Sequence, residues 1–133
     1  MGNEYITSVK QENNTLVIDV TESQKNKLIE RNNKYIETLA NDFSNANDKY
    51  RYEFNSEFSE LTYYFDENIS TIMQGKIGSI TAGYILNNIM KNNNQDWQIH
   101  LKIINCHTNK IVAEGTLPKD TIKYGELEWN NSY

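Results

Sequence analysis

Apolar and polar residues alternate in several parts of the chain, which is typical of strands with one buried face. The alternation at residues 4–9 and 15–20 predicts a hairpin, with turn residues at 11–14. The alternation from Trp97 to Ile103 is the cleanest in the chain, and Ile111 to Leu117 follows it as a partner strand that Pro118 ends. The sequence therefore predicts at least two antiparallel hairpins.

A long helix is predicted between the first hairpin and about Ala46. Thr21 and Gln24 have the spacing of a capping box, in which each side chain bonds the backbone N–H of the other residue. Apolar residues then recur at the helical period and predict a buried stripe. Its members are Leu28, Tyr35, Leu39 and Phe43, with Ile29 and Ile36 beside it.

Residues 50–65 fit two interpretations. Aromatic and apolar residues occupy even-numbered positions up to Phe58 and odd-numbered positions from Leu61. This switch indicates two strands joined by a turn or bulge near 55–60. A helix is the alternative, because Phe58, Leu61 and Phe65 also fit a helical stripe. The high density of aromatic residues favours the strands.

Two shorter helices are predicted next, because glycines interrupt a helical pattern. The first runs from Asp66, a possible cap, to Gln74, and the second covers about 79–91. Gly75-Lys76-Ile77-Gly78 separates them, and asparagines at 92–94 end the second. Residues 124–133 are predicted to form either a short strand or a loose tail.

These elements predict one α+β domain over residues 1–133. Its architecture would be an antiparallel sheet with one long and one or two shorter helices packed on one face. A chain of 133 residues is long enough to build such a core without disulfides.

Charge and composition limit the classes of partner that the sequence predicts. The net charge of -5 disfavours nucleic acid and anionic membranes, and it favours solubility or a basic partner protein. A single cysteine excludes an intrachain disulfide, and no apolar stretch is long enough for a membrane span, so the cytoplasm is the expected location. Abundant Asn, Ile, Lys and Tyr are compatible with a low-GC bacterium, its phages or its plasmids.

Few residues of this chain are cysteine or histidine, which bind zinc and act as nucleophiles. His100, Cys106 and His107 are the only histidines and cysteine, and they lack the paired spacing of a four-ligand zinc site. Neighbours in a hairpin rarely reach the geometry that activates a cysteine, and no nucleophile motif surrounds Cys106. The sequence therefore predicts no metal, no cofactor, no catalytic residue and no enzymatic activity.

An acidic run interleaved with tyrosines is the predicted partner-binding surface. Tyrosines offer rigid contact area, and carboxylates steer a basic protein toward the surface. Because Tyr63 and Tyr64 are adjacent, a strand should expose only one of them as an anchor. The predicted surface consists of Tyr52, Glu53, Glu57, Glu60, Tyr63, Tyr64, Asp66 and Glu67.

Gly75, Lys76 and Gly78 suggest a different class of function. They form a GXXG motif between two predicted helices, preceded by a strand and followed by a hairpin. That order is similar to the core of a KH domain over residues 61–117, and the resemblance implies a nucleic-acid backbone clamped by this loop. A plain helix–helix turn is the competing interpretation.

The function that these observations favour is a small non-catalytic binding protein acting on a basic partner protein, such as an inhibitor or immunity protein of bacterial or phage origin. The alternatives are the KH-like nucleic-acid binder and a small-ligand-binding protein with a pocket between helix and sheet. A homo-oligomer is also compatible with the sequence.

Overall fold

The computed structural model describes residues 4–92 and 96–133. The elements in chain order are β1 (Ser8–Glu12), β2 (Thr15–Asp19), α1 (Glu22–Ala46), β3 (Arg51–Phe54), β4 (Glu60–Phe65), α2 (Thr71–Asn92), β5 (Ile99–Asn105), β6 (Ile111–Leu117) and α3 (Glu126–Asn131). They form two compact units, one up to Tyr35 and one over Ile36–Tyr133, and α1 contributes residues to both. The single domain expected for residues 1–133 stays a prediction.

The first unit contains the predicted hairpin and the start of α1. β1 and β2 pair antiparallel from Ser8↔Asp19 to Glu12↔Thr15, so the turn is shorter than expected and β1 begins and ends later than expected. Asn13, in this turn, has a φ of 55°, which asparagine tolerates. The capping box is confirmed, because Gln24 N–H donates to Thr21 Oγ1 at 3.1 Å and Thr21 N–H to Gln24 Oε1 at 2.9 Å.

The second unit contains a four-stranded sheet in the order β3-β4-β5-β6. Residues 50–65 form the strand pair rather than the helix, and the α+β class is confirmed. The outer pairs are antiparallel, but β4 and β5 are parallel, so the expectation of a purely antiparallel sheet is wrong at its centre. The physical reason is α2, which carries the chain back along the sheet before β5 begins.

The helices of this unit pack on one face of the sheet. The ring of Phe43 in α1 lies 6.2 Å from that of Phe65 in β4, and the ring of Trp129 in α3 lies 5.4 Å from the same ring. α2 contacts this face through Ile77, whose carbonyl accepts a hydrogen bond from the Tyr63 hydroxyl at 3.2 Å. The core on this face includes Ile36, Ala40, Phe43, Leu61, Tyr63, Phe65, Ile80, Tyr84, Ile99 and Ile103, all below 4 % exposed.

The buried stripe of α1 differs from the predicted one by one position. Ile36, Ala40 and Phe43 are buried, whereas Tyr35 is 56 % exposed. The choice of Tyr35 was wrong because adjacent apolar residues offered two overlapping stripes, and tertiary packing selects between them.

α2 is one continuous helix, so the prediction of two helices is wrong. Gly75, Lys76 and Gly78 lie inside it, and Ser70 rather than Asp66 caps it by accepting the Met73 N–H at 3.1 Å. A helical glycine costs only about 1 kcal/mol, which the burial of the helix offsets. The loop expected from the KH resemblance is therefore wrong, because these residues are helical, and nucleic-acid binding by them stays a prediction.

The last element, α3, was missed, since residues 124–133 were expected to be a strand or loose. Trp129 anchors it and is 6 % exposed. The predicted stop of α2 falls partly on residues 93 and 94, which lie outside the described residues. Within residues 4–92 and 96–133, no helix is long and apolar enough to cross a membrane.

Candidate functional site

The carboxyl ends of the two parallel strands meet at one edge of the sheet. β4 and β5 pair up to Phe65↔Asn105, and Asp66 and Cys106 follow directly. The Cys106 N–H donates to the Phe65 carbonyl at 3.0 Å and extends the pairing by one step. Side chains that follow β4 and β5 are therefore brought together here, at the kind of edge where α/β sheets bind ligands.

Asp66 is buried at this edge and held by hydrogen bonds. It is 5 % exposed, and its Oδ1 accepts hydrogen bonds from the Tyr50 hydroxyl at 2.8 Å and from the Asn68 N–H at 3.0 Å. Its Oδ2 lies 2.8 Å from Nε2 of His107. Burial alone would raise the pKa of Asp66, but hydrogen bonds from His107, Tyr50 and Asn68 outweigh it, and the pKa is lowered from its ordinary value. Asp66 is therefore a carboxylate at neutral pH.

Cys106 and His107 complete a compact cluster with Asp66. The cysteine sulfur, one ring nitrogen of His107 and one carboxylate oxygen of Asp66 all lie within 4.8 Å of one another. Burial raises the pKa of the Cys106 thiol, and the negative charge of Asp66 raises it further. Nucleophilic cysteines instead have lowered pKa values, so this arrangement argues against a nucleophilic role for Cys106.

Residues near α3 hold the loop that carries Cys106 and His107. Asn105 is fully buried, and its Nδ2 donates to Ser132 Oγ at 2.9 Å while its Oδ1 accepts the His107 N–H at 2.9 Å. The Tyr133 ring stacks on His107 with centroids 6.4 Å apart, and its hydroxyl donates to Glu67 Oε2 at 2.6 Å. The backbone of the cluster is thus fixed from two sides.

A cleft opens beside the cluster, between the end of β4 and α3. Its volume is about 330 Å³. The residues that line it are Phe65, Glu67, Ile69, Gln74, Tyr124, Gly125, Glu126, Trp129 and Asn130. The rings of Tyr124 and Trp129 pack on Phe65 at 6.1 and 5.4 Å, so three of the nine lining residues form one aromatic group, of which Tyr124 is the half-buried member.

Two carboxylates, Glu67 and Glu126, stand at this aromatic cleft, and both residues are exposed. In the part of the chain that the structure describes, no lysine or arginine forms a salt bridge with either of them. Aromatic faces and carboxylates both attract cations. The cleft is therefore suited to an ammonium or guanidinium group.

The predicted tyrosine anchors are both buried. Tyr63 is 0 % exposed, and its hydroxyl lies 2.8 Å from Thr81 Oγ1. Tyr64 is 9 % exposed and lies beneath the guanidinium of Arg51, 3.8 Å from its ring centroid. The expectation that one of them is an exposed anchor is wrong, because Tyr63 lies under the helices and Tyr64 under the side chain of Arg51.

The other members of the predicted surface are not on one patch. Tyr52 stacks on Phe54 at 5.4 Å on the helix-covered face, and Glu53 lies on the opposite face. Glu57, in the β3–β4 turn, pairs with Lys91 at 3.4 Å.

Glu60 begins β4, at the end of the strand opposite Asp66 and Glu67. Six residues of strand separate these ends by roughly 17–20 Å. Of the predicted surface, Asp66 and Glu67 alone reach the candidate site.

The second histidine does not join the cluster. His100 lies near the start of β5, where its ring nitrogens are 3.1 Å from Glu114 Oε2 and 3.3 Å from Thr116 Oγ1. Asp66, rather than His100, joins Cys106 and His107 in the cluster. The sequence shows an acidic residue directly after β4 and a Cys-His pair directly after β5, but this pattern predicts a cluster only if the two strands are known to be parallel.

Comparisons with protein-family models, with curated proteins and with solved structures each gave no match. The function is therefore argued from the geometry of the site.

Proposed function

We propose that the protein is a small non-catalytic binding protein that acts on a basic partner protein and receives a lysine or arginine side chain of that partner in the cleft beside α3. The observation that carries this function is the pair of carboxylates, Glu67 and Glu126, at a cleft lined by Phe65, Tyr124 and Trp129. The net charge of -5 adds long-range attraction for a basic protein.

The size and chemistry of the cleft support a side chain as its occupant. A volume of about 330 Å³ is at the lower end of ligand pockets, which suits one cationic head group and its alkyl stem. A cation over the half-buried ring of Tyr124 gains about 0.5–2 kcal/mol, depending on its desolvation. Two carboxylates add charge-assisted hydrogen bonds, which are about twice as strong as neutral ones.

Exposed carboxylates outside the cleft have a second role in this function. Glu57 and Glu60 lie away from the cleft, so they act on a basic partner through the long-range field rather than through contact. The single cysteine and the acidic composition are consistent with action in the cytoplasm, which is part of the same proposal.

Binding kinetics with a defined probe test this function. The probe is a short synthetic peptide rich in lysine and arginine, measured by surface plasmon resonance at two salt concentrations, with an acidic peptide of equal length as a negative control. Glu67→Gln combined with Glu126→Gln should weaken binding at least about tenfold, mainly through faster dissociation.

The matched control is Glu57→Gln combined with Glu60→Gln, which changes the net charge by the same amount. It should slow association and reduce the salt dependence while leaving dissociation unchanged. Equal effects of the two pairs on dissociation would contradict the cleft as the contact site. Tight binding of free arginine or lysine, without a gain from the peptide, would favour a small-ligand-binding protein instead.

A further inference from the structure

We propose that Asp66, Cys106 and His107 form a zinc-binding site at the carboxyl ends of β4 and β5. Their donor atoms, one sulfur, one nitrogen and one oxygen, lie within 4.8 Å of one another. Zinc accepts all three donor types, whereas magnesium and calcium prefer oxygen alone. This site is independent of the cleft and extends the proposed binding function.

The surroundings of Asp66 resemble the outer shell of a metal ligand. Tyr50 and Asn68 both donate to Oδ1, which fixes the carboxylate plane and leaves Oδ2 directed toward His107. Hydrogen-bonded carboxylates are typical of metal sites, where such contacts orient the ligand atom. The burial of Asp66 at 5 % exposure also distinguishes it from an ordinary surface acid.

Cys106 and His107 are held by their backbone, and the His107 ring already points at Asp66. The N–H groups of both residues are bonded, to Phe65 O at 3.0 Å and to Asn105 Oδ1 at 2.9 Å. The His107 ring contacts Asp66 and stacks on Tyr133, and its side chain is 37 % exposed. The loop therefore places the ligand atoms close together and leaves His107 accessible to an ion from solvent.

Modest movements admit the ion. His107 Nε2 and Asp66 Oδ2 are 2.8 Å apart. Ligands at about 2.1 Å from a tetrahedral zinc ion lie roughly 3.4 Å from each other, so this pair must separate by roughly 0.6 Å. The Cys106 sulfur, which lies within 4.8 Å of both atoms, must adjust to roughly 3.6 Å from each of them. Zinc takes the place of the proton between Nε2 and Oδ2, so His107 binds it as a neutral imidazole with its proton on Nδ1, and the Cys106 thiol releases its proton to solvent, because the ion requires the thiolate. Three protein ligands leave the fourth position of the tetrahedron open to water or another donor atom.

Titration of the metal-free protein with Zn²⁺ alone tests the site. After chelation and buffer exchange, isothermal titration calorimetry should give one ion per chain. Co²⁺ in place of zinc should give a thiolate-to-metal charge-transfer band, which reports directly on Cys106. Zinc should also raise the melting temperature of the folded protein, because a ligand that binds only the folded state stabilises it.

Two variants at partly exposed positions decide the assignment without removing the buried Asp66. Cys106→Ser should abolish the charge-transfer band, and His107→Gln should weaken zinc affinity at least about tenfold. His100→Gln, the matched histidine control on the other face of the sheet, should change neither. Unchanged zinc binding in both site variants, loss of binding in His100→Gln, or the absence of saturable binding to the wild type would each overturn the site.

Discussion

Replacing Asp66 by Asn in the metal-free protein should destabilise the fold in a strongly pH-dependent way. The carboxylate is 5 % exposed and accepts hydrogen bonds from the Tyr50 hydroxyl and the Asn68 N–H, while its other oxygen contacts His107 Nε2. A hydrogen bond to a charged group contributes about 1.5–3 kcal/mol, against about 1 kcal/mol for a neutral one. The asparagine oxygen can still accept from Tyr50 and Asn68, but the hydrogen bond between His107 Nε2 and a charged carboxylate oxygen is lost.

The expected loss at neutral pH is therefore about 2–3 kcal/mol, from one charged contact removed and two weakened. For a chain of this length, that corresponds to a fall in melting temperature of roughly 8–12 °C. Because the pKa of Asp66 is lower in the folded state, ionisation stabilises the fold above the unfolded pKa of about 4. This stabilisation disappears as the pH falls through the lower folded pKa.

Thermal unfolding followed by circular dichroism, in the presence of a chelator, measures both effects. Wild type and Asp66→Asn should differ at about pH 7 and converge as the pH falls through the lowered pKa of Asp66. Asp48→Asn, at an exposed position, is the matched control and should behave like the wild type. A difference below about 0.5 kcal/mol at neutral pH, or one that does not shrink in acid, would refute the described role of Asp66.

Four further substitutions test the fold by thermal unfolding. Cys106→Ser should leave the melting temperature of the metal-free protein within a few degrees, and a larger fall would show that the thiol itself stabilises the loop. Gly75→Ala and Gly78→Ala should each stabilise α2 by about 0.5–1 kcal/mol, since an added Cβ meets nothing within 4 Å, and destabilisation would argue against one continuous helix. Gly115→Ala should destabilise β6 by about 1–3 kcal/mol, because its Cβ would lie 2.8 Å from Ile122 Cδ1; an unchanged melting temperature would refute that close approach.

Local patterns were sufficient to predict several elements. The capping box at Thr21 and Gln24 located the start of α1, and its predicted end at Ala46 is confirmed. The strand predicted from Ile111 to Leu117, as the partner of the preceding strand and ended by Pro118, is β6 with its observed bounds. These features depend on contacts between residues close in sequence or on a period that a short segment carries by itself.

The remaining features depend on contacts that the sequence does not encode locally. The glycines of α2 predicted an interruption, but burial of Ile77, Ile80 and Tyr84 outweighs their low helix propensity. The parallel pairing of β4 with β5 follows only once α2 is known to be one long crossover helix.

The candidate site depended on the same long-range information. Asp66 was expected to cap a helix, and Cys106 and His107 were expected in an isolated hairpin turn. Antiparallel pairing of their strands would have placed them at opposite edges of the sheet, so their proximity could not be predicted. Trp129 and the cleft beside α3 were missed because a six-residue helix carries too few turns for a clear period.

The most direct test of the proposed function is to map a basic peptide onto the protein by two-dimensional NMR. A titration of the isotope-labelled protein with the lysine- and arginine-rich peptide should shift the Trp129 indole and the amides of Glu67, Tyr124 and Glu126, with saturation at one peptide per chain. The same titration of Glu67→Gln with Glu126→Gln should lose these shifts. Shifts centred on the β3–β4 turn around Glu57, or no saturable shifts, would contradict the cleft as the site where a basic partner binds.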